Sequence, residues 1–189
     1  MEKELEQQQS SCVKIVLFGP ESTGKTTLSK QLSKHYNTVW VAEYAREYLQ
    51  AKWNVKQKTC ELEDIMPIAI GQMKLENNLA KKANAVLICD TDLLETKVYS
   101  EMFYNGICNS TLKKKALENT YDLYFLTYID IPWISDDIRD RPNERETMFS
   151  AFENELIAAK RPYILLKGSK EERFKIAVEA IDKLLENKK

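Results

Sequence analysis

Gly19-Pro20-Glu21-Ser22-Thr23-Gly24-Lys25-Thr26 reads G-x-x-x-x-G-K-T in full and follows directly on the apolar, β-branched run VKIVLF. Glycines at both ends open backbone conformations closed to other residues, so successive N–H groups can turn into one concavity. A helix starting beside the second glycine aims the positive end of its dipole at the same point. Lys25 supplies a mobile cation for β- and γ-phosphates, the Thr26 hydroxyl suits a Mg²⁺ ion, and Thr27 could donate to an α-phosphate. A glycine-rich turn before an ordinary helix can match this pattern by chance. Here a buried strand precedes it and helical spacing (Leu28, Leu32) follows, which is the context the chemistry needs.

A metal-assisted nucleotide site also needs a second carboxylate. Asp90 closes the apolar run AVLIC and fits a buried strand delivering an acid beside the phosphate loop. Asp92, two residues on, could share that role or simply cap the next helix. Glu43 follows the run TVWVA, where the carboxyl ends of strands collect ligands; it could take a hydroxyl proton while Arg46, one turn on, holds a charged or polar group. The same residues also read as a helix start with an acid at its N-terminus and a surface ion pair. Residues 132–145 pack Arg139, Arg141 and Arg145 among Asp136, Asp137, Asp140 and Glu144. Such a segment could close over a transferring phosphoryl group and neutralise it, or it could be a solvated loop whose acids pair with every arginine.

The elements that must hold these residues follow from periodicity. Short apolar runs predict strands at 13–18, 38–42, 85–89, 121–129 and 163–167. Between them, three- and four-residue spacing predicts helices at 26–36, 43–53, 62–82, 93–103, 112–119, 144–160 and 170–187, with Pro67 kinking the third or marking its true start. Strands alternating with helices predict an α/β fold of the P-loop NTPase kind: a parallel five-stranded sheet with helices on both faces. Residues 1–11 read as a flexible polar leader and 12–189 as a single domain.

Composition narrows the setting. Of 189 residues, 28 are Lys or Arg and 29 Asp or Glu, a net charge of −1 that offers no global field for nucleic acid or an anionic membrane. No apolar stretch approaches the roughly 20 residues of a spanning helix, and the Gln-rich, acidic N-terminus resembles neither a secretory signal nor a transit peptide. A cytoplasmic location is expected. Cys12, Cys60, Cys89 and Cys108 are far apart with no CxxC pair, which argues against a zinc site or disulfide framework, and Cys89 reads as a small buried hydrophobe.

The motifs GPESTGKTTL, AEYAREY, Cys89-Asp90-Thr91-Asp92 and PWISDDIR, in this order, are similar to those of the ribosylnicotinamide kinase module of bacterial bifunctional NAD-biosynthesis proteins and its stand-alone P-loop relatives. That resemblance spans most of the chain from Val13 to about Arg145, with Asp137 standing where the family's pattern suggests a glycine. It implies a nucleoside- and nucleotide-kinase-like fold, ATP and Mg²⁺, and transfer of the γ-phosphate to the 5′-hydroxyl of nicotinamide riboside. By position it implies that Gly19 to Thr27 hold ATP and that Thr26 and Asp90 serve the metal. Glu43, Tyr44, Arg46, Trp133 and Asp136 would contact the riboside, and Arg139 would sit in a lid. Lys25, Glu43, Asp92 and Arg139 would be the catalytic set. With twelve residues ahead of Val13, the adenylyltransferase half of the bifunctional proteins is not expected here. A phosphate loop does not name its acceptor, so a kinase for another small acceptor and a nucleotide switch acting through a partner stay open.

Overall fold

A computed structural model describes residues 2–138 and 142–188. The apolar runs form β1 (Val13–Phe18), β2 (Trp40–Val41), β3 (Val86–Asp90), β4 (Leu123–Thr127) and β5 (Tyr163–Leu166). These make one sheet in the order β2-β3-β1-β4-β5, with every pairing parallel. The helices are α1 (Lys25–His35), α2 (Tyr44–Lys56), α3 (Ile65–Ala80), α4 (Leu93–Phe103), α5 (Ser110–Glu118), α6 (Arg145–Ala158) and α7 (Lys170–Asn187). The expected P-loop, kinase-like architecture is therefore present. The second strand is shorter than the 38–42 expected, pairing through Trp40 and Val41 alone at the sheet edge. Pro67 lies in the first turn of α3, where its missing N–H costs no helical bond, so it marks a start and not a kink.

β1 is central and buried along its whole length. Its side chains alternate between two cores, as strand geometry requires. Val13, Ile15 and Leu17 face a cluster with Leu28 and Leu32 of α1 and Ala177 and Ile181 of α7. Val16 and Phe18 face the other cluster, with Ala69 and Met73 of α3, Leu94 and Val98 of α4 and Phe152 of α6. A strand sandwiched this way can carry a charge only if the charge is answered. Lys14 is answered by Glu76 of α3 at 3.2 Å, and Glu76, itself fully buried, also accepts from the Tyr121 hydroxyl at 2.7 Å and from Gln7 Nε2 at 2.8 Å. Cys89 is buried in β3 as expected.

Residues 2–11, expected as a flexible leader, lie against the domain. Glu2–Leu5 form one 3-10 turn, Leu5 is completely buried in the α3-side core, and Asn77 Nδ2 donates to the Glu6 carbonyl at 2.9 Å. Among the described residues no helix is long and apolar enough to cross a membrane.

Sheet order decides where a ligand can sit. The chain leaves β1 for β2 and β3 on one side, then crosses to β4 and β5 on the other, so a crevice opens beyond the carboxyl end of β1. The glycine-bracketed loop, Glu43 after β2 and Asp90 at the end of β3 all come to this end. Replacing Leu5 by Ala should lower unfolding free energy by about 2–4 kcal/mol, the cost of emptying a filled core position. Urea unfolding measures this, and an unchanged midpoint would show that the leader adds nothing to the core.

Candidate active site

The loop between β1 and α1 is held from several sides. Thr127, at the end of β4, shares a hydroxyl hydrogen bond with Thr23 at 2.7 Å and donates to the Phe18 carbonyl at 3.2 Å. Arg173 of α7, 3% exposed, donates to the Thr23 carbonyl at 2.8 Å, to the Tyr128 and Gly168 carbonyls at 3.1 Å, and to Asp130. Arg145, at the start of α6, bridges the Ile131 carbonyl at 2.9 Å and the Ser22 carbonyl at 3.3 Å. Gly19 has φ +132°, and a Cβ there would stand 2.9 Å from the Thr127 hydroxyl oxygen and 3.0 Å from its carbonyl oxygen. Gly24 caps α1 with φ +87°. Both positions need glycine because the chain is left-handed there, and the first also lies hard against β4.

Lys25 is buried at the loop's base. Its ammonium donates to the Gly19 carbonyl at 2.5 Å and the Pro20 carbonyl at 3.0 Å, and pairs with Glu95 of α4 at 3.1 Å. Burial alone would depress its pKa; the charges of Glu95, Glu43 and Asp90 outweigh that and raise it. Thr26 donates to Asp90 at 2.6 Å, while the other Asp90 carboxyl oxygen is buried without a hydrogen-bond partner. Burial, and after it the charge of Glu43, pushes the Asp90 carboxyl up to about 7, with Lys25 and Thr26 pulling the other way. A hydroxyl beside a carboxylate with one unsatisfied buried oxygen is a donor set that fits a hard divalent cation. Concave loop, lysine, hydroxyl and acid also fit a nucleotide polyphosphate.

Two adjoining cavities open above this base. The first, about 260 Å³, is lined by Glu21 to Thr27 and by Gln31, Glu43, Arg46, Ile131, Ile134, Lys170 and Arg173, among others. The second, about 160 Å³, is lined by Thr59 and Cys60, by Ile65 and Ile68 of α3, and by Thr91, Glu95, Tyr99, Phe103 and Tyr104. Glu21, Glu43, Ala45, Leu49 and Ile138 line both, so Glu43 stands on their boundary. Residues 131–138 roof the first cavity. The Ile134 N–H donates to the Ser22 hydroxyl at 2.9 Å, Arg46 pairs with Asp136, and Gln50 Nε2 donates to Asp137 at 3.2 Å. The glycine suggested by the family's pattern at 137 is thus replaced by a residue with a contact of its own.

Several expected site residues are elsewhere. Asp92 is fully buried, accepts from the Glu95 N–H at 2.9 Å and the Tyr124 hydroxyl at 2.8 Å, and lines neither cavity. Burial pushes its carboxyl up to about 7. It is the cap of α4, and the catalytic role expected for it does not suit that placement. Tyr44, the first residue of α2, packs its ring against Gly71 of α3, where an added Cβ would meet it at 2.0 Å, and it lines neither cavity. Trp133 packs against the Arg145 guanidinium at 5.7 Å, again outside the cavity walls. Tyr44 and Trp133, expected to contact an acceptor, are thus among the lining residues of neither cavity. Arg139 lies outside the described residues.

In their place stand residues missed in the sequence. Glu95, Tyr99 and Phe103 form an i, i+4, i+8 stripe on α4 that faces the second cavity. That spacing, counted from the end of β3, was the available signal. Desolvation, then the charges of Glu21, Glu95 and Glu43, pushes the Tyr99 phenol well up, a mark of how acidic its surroundings are.

An AAA domain family model matches residues 14–173. The trifunctional NAD biosynthesis/regulator protein NadR of Salmonella typhimurium strain LT2 is 28% identical over 143 residues, which cover 76% of this chain and 34% of that protein. The chain thus spans about a third of the length of the curated relative it matches. A crystal structure of NadR protein in complex with NR superposes with a TM-score of 0.74 at 21% identity, covering 92% of this chain and 51% of that one. A thymidylate kinase from Candida albicans superposes at 0.69 with 14% identity, covering 96% of each chain. At such identities these structures establish a shared P-loop, nucleotide-kinase-like fold.

Gly19→Ala should cost about 1–3 kcal/mol, through a strained φ and a backbone clash that cannot be relieved by rotating a side chain. Denaturant unfolding checks this; wild-type stability would mean that the loop is not seated on Thr127 as described.

Proposed function

The chain belongs to the AAA domain family, and from that premise we propose that it is an ATP-dependent kinase that phosphorylates the 5′-hydroxyl of nicotinamide riboside. The observation that carries this reading is the pair of adjoining cavities, one over the phosphate loop and one walled by carboxylates and aromatic rings. Glu21, Glu43 and Glu95 with Tyr99, Phe103 and Tyr104 make a lining suited to a flat cation, because carboxylates and ring faces both favour positive charge. The pyridinium of nicotinamide riboside is such a group, whereas ordinary nucleosides are neutral. Similarity to NadR, one structure of which holds NR, supports the same acceptor.

In this reading the triphosphate lies in the first cavity along the N–H groups of residues 21–27. Thr26 and Asp90 would hold Mg²⁺, whose chemistry is to neutralise charge on the β- and γ-oxygens. The acceptor hydroxyl enters from the second cavity and meets Glu43, whose carboxylate orients it and accepts its proton as the new O–P bond forms in line with the breaking β–γ bridge. Lys25 stabilises the charge left on the departing ADP. Arg46, anchored by Asp136, ties the roof to α2 and helps exclude water while transfer occurs. Because the transition state is loose, holding these groups in line matters more than the basicity of Glu43.

ADP release measured with nicotinamide riboside, with neutral nucleosides and without acceptor tests the reading. Stimulation by the riboside alone is expected. Stimulation only by a neutral nucleoside would give the acceptor to another class, and slow hydrolysis indifferent to every acceptor would make the chain a nucleotide switch. Lys25→Ala should abolish turnover. Glu43→Gln should slow it by on the order of 10²-fold or more, as expected for a lost general base or positioning group. Near-normal turnover in a folded Lys25→Ala protein would remove the mechanism.

A further inference from the structure

Glu95 touches both halves of the site. One carboxyl oxygen accepts from the Gly19 N–H at 3.3 Å, the other lies 3.1 Å from the Lys25 ammonium, and the side chain lines the second cavity beside Tyr99 and Glu43. Lys25 is thereby committed to Glu95 and to two carbonyls of its own loop. To reach a polyphosphate it must give up some of those bonds, and a buried carboxylate that loses its lysine needs another donor.

We propose that Glu95 is a positioning residue that couples the two cavities: on entering, the acceptor's hydroxyl donates to its carboxylate, takes the place of Lys25 there and frees the lysine for the phosphates of the donor, and it turns to Glu43 only as transfer begins. The inference rests on the reading of the site as a phosphoryl-transfer centre. It assigns Glu95 a different task from Glu43, which lines both cavities and meets the hydroxyl during transfer. Two electrostatic consequences follow while the second cavity is empty. The Glu95 charge opposes a polyphosphate in the adjoining loop, and the retained lysine cannot fully stabilise transfer to water. Desolvation drives the Glu95 carboxyl well above its ordinary range and Lys25 is the main force against it, so the charged form depends on a donor being present.

The test compares wild type with Glu95→Gln, which keeps size and an accepting oxygen but loses the charge, and with Glu95→Ala. Calorimetry with Mg·ADP and no acceptor reads the first consequence: both variants should bind more tightly, by on the order of tenfold, the effect of removing one nearby buried charge. ADP release reads the second: the ratio of riboside-stimulated to unstimulated turnover should fall by a similar factor in both. Nucleotide affinity equal to or weaker than wild type in the folded variants overturns the inference. So do variants that melt far below wild type and bind nothing, which would mark a packing role. A wild-type protein that binds no nucleotide would defeat the proposed function and this inference together. A wild type stimulated by the riboside, alongside variants with unchanged affinity and ratio, would defeat the role of Glu95 alone.

Discussion

One ammonium group, that of Lys25, is held in a desolvated space where three strand ends meet, and its charge is what lets Glu43, Asp90 and Glu95 share that space. Without the lysine, burial would drive Asp90 and Glu95, both already raised, further toward their protonated forms. The position of Lys25 therefore sets the ionisation of its neighbours as well as its own reach. It is fixed by a turn that only glycine can make at Gly19, against a strand that carries Thr127 at its tip.

The surrounding architecture serves to keep that turn in place. Strand order brings three acid-bearing connections to one edge of the sheet, and α7 returns across the molecule to grip the loop through Arg173. The roof over the first cavity is attached to the loop at Ser22 and to α2 at Arg46 through polar contacts. The second cavity is enclosed by the carboxylates of Glu21, Glu43 and Glu95 together with rings and aliphatic groups from α3 and α4.

Strands and helices were legible because most of this sheet is buried on both faces, and its strands are therefore unbroken apolar runs separated by helical periodicity. β2 was overestimated because Thr38, Val39 and Ala42 have strand-like composition but lie at a sheet edge where pairing stops after two residues. The convergence of the phosphate loop, Glu43, Arg46 and Asp90 was legible because all of them lie at or just past strand ends. Asp92 was not, because an acid two residues past a strand can turn either to the ligand or to the next helix, and its oxygens found the Glu95 N–H and the Tyr124 hydroxyl. Tyr44 misled for a related reason: an aromatic beside a strand end can stack on a ligand or on a glycine of the neighbouring helix, and Gly71 offered the gap. Glu95 escaped notice because a glutamate in a first helical turn is ordinary until its lysine partner is known.

The grip of Arg173 on the Thr23 carbonyl joins residues 150 positions apart. A ribosome releases the chain from one end, so the loop of residues 19–26 emerges long before the helix that fastens it. During synthesis the nascent protein can build β1, β3 and β4 side by side, yet its phosphate cradle lacks this clamp until α7 has left the exit tunnel. Competence to take up nucleotide should thus wait for α7, and a product terminated ahead of α7 would carry the whole glycine-lysine motif without the fastening that holds it in shape.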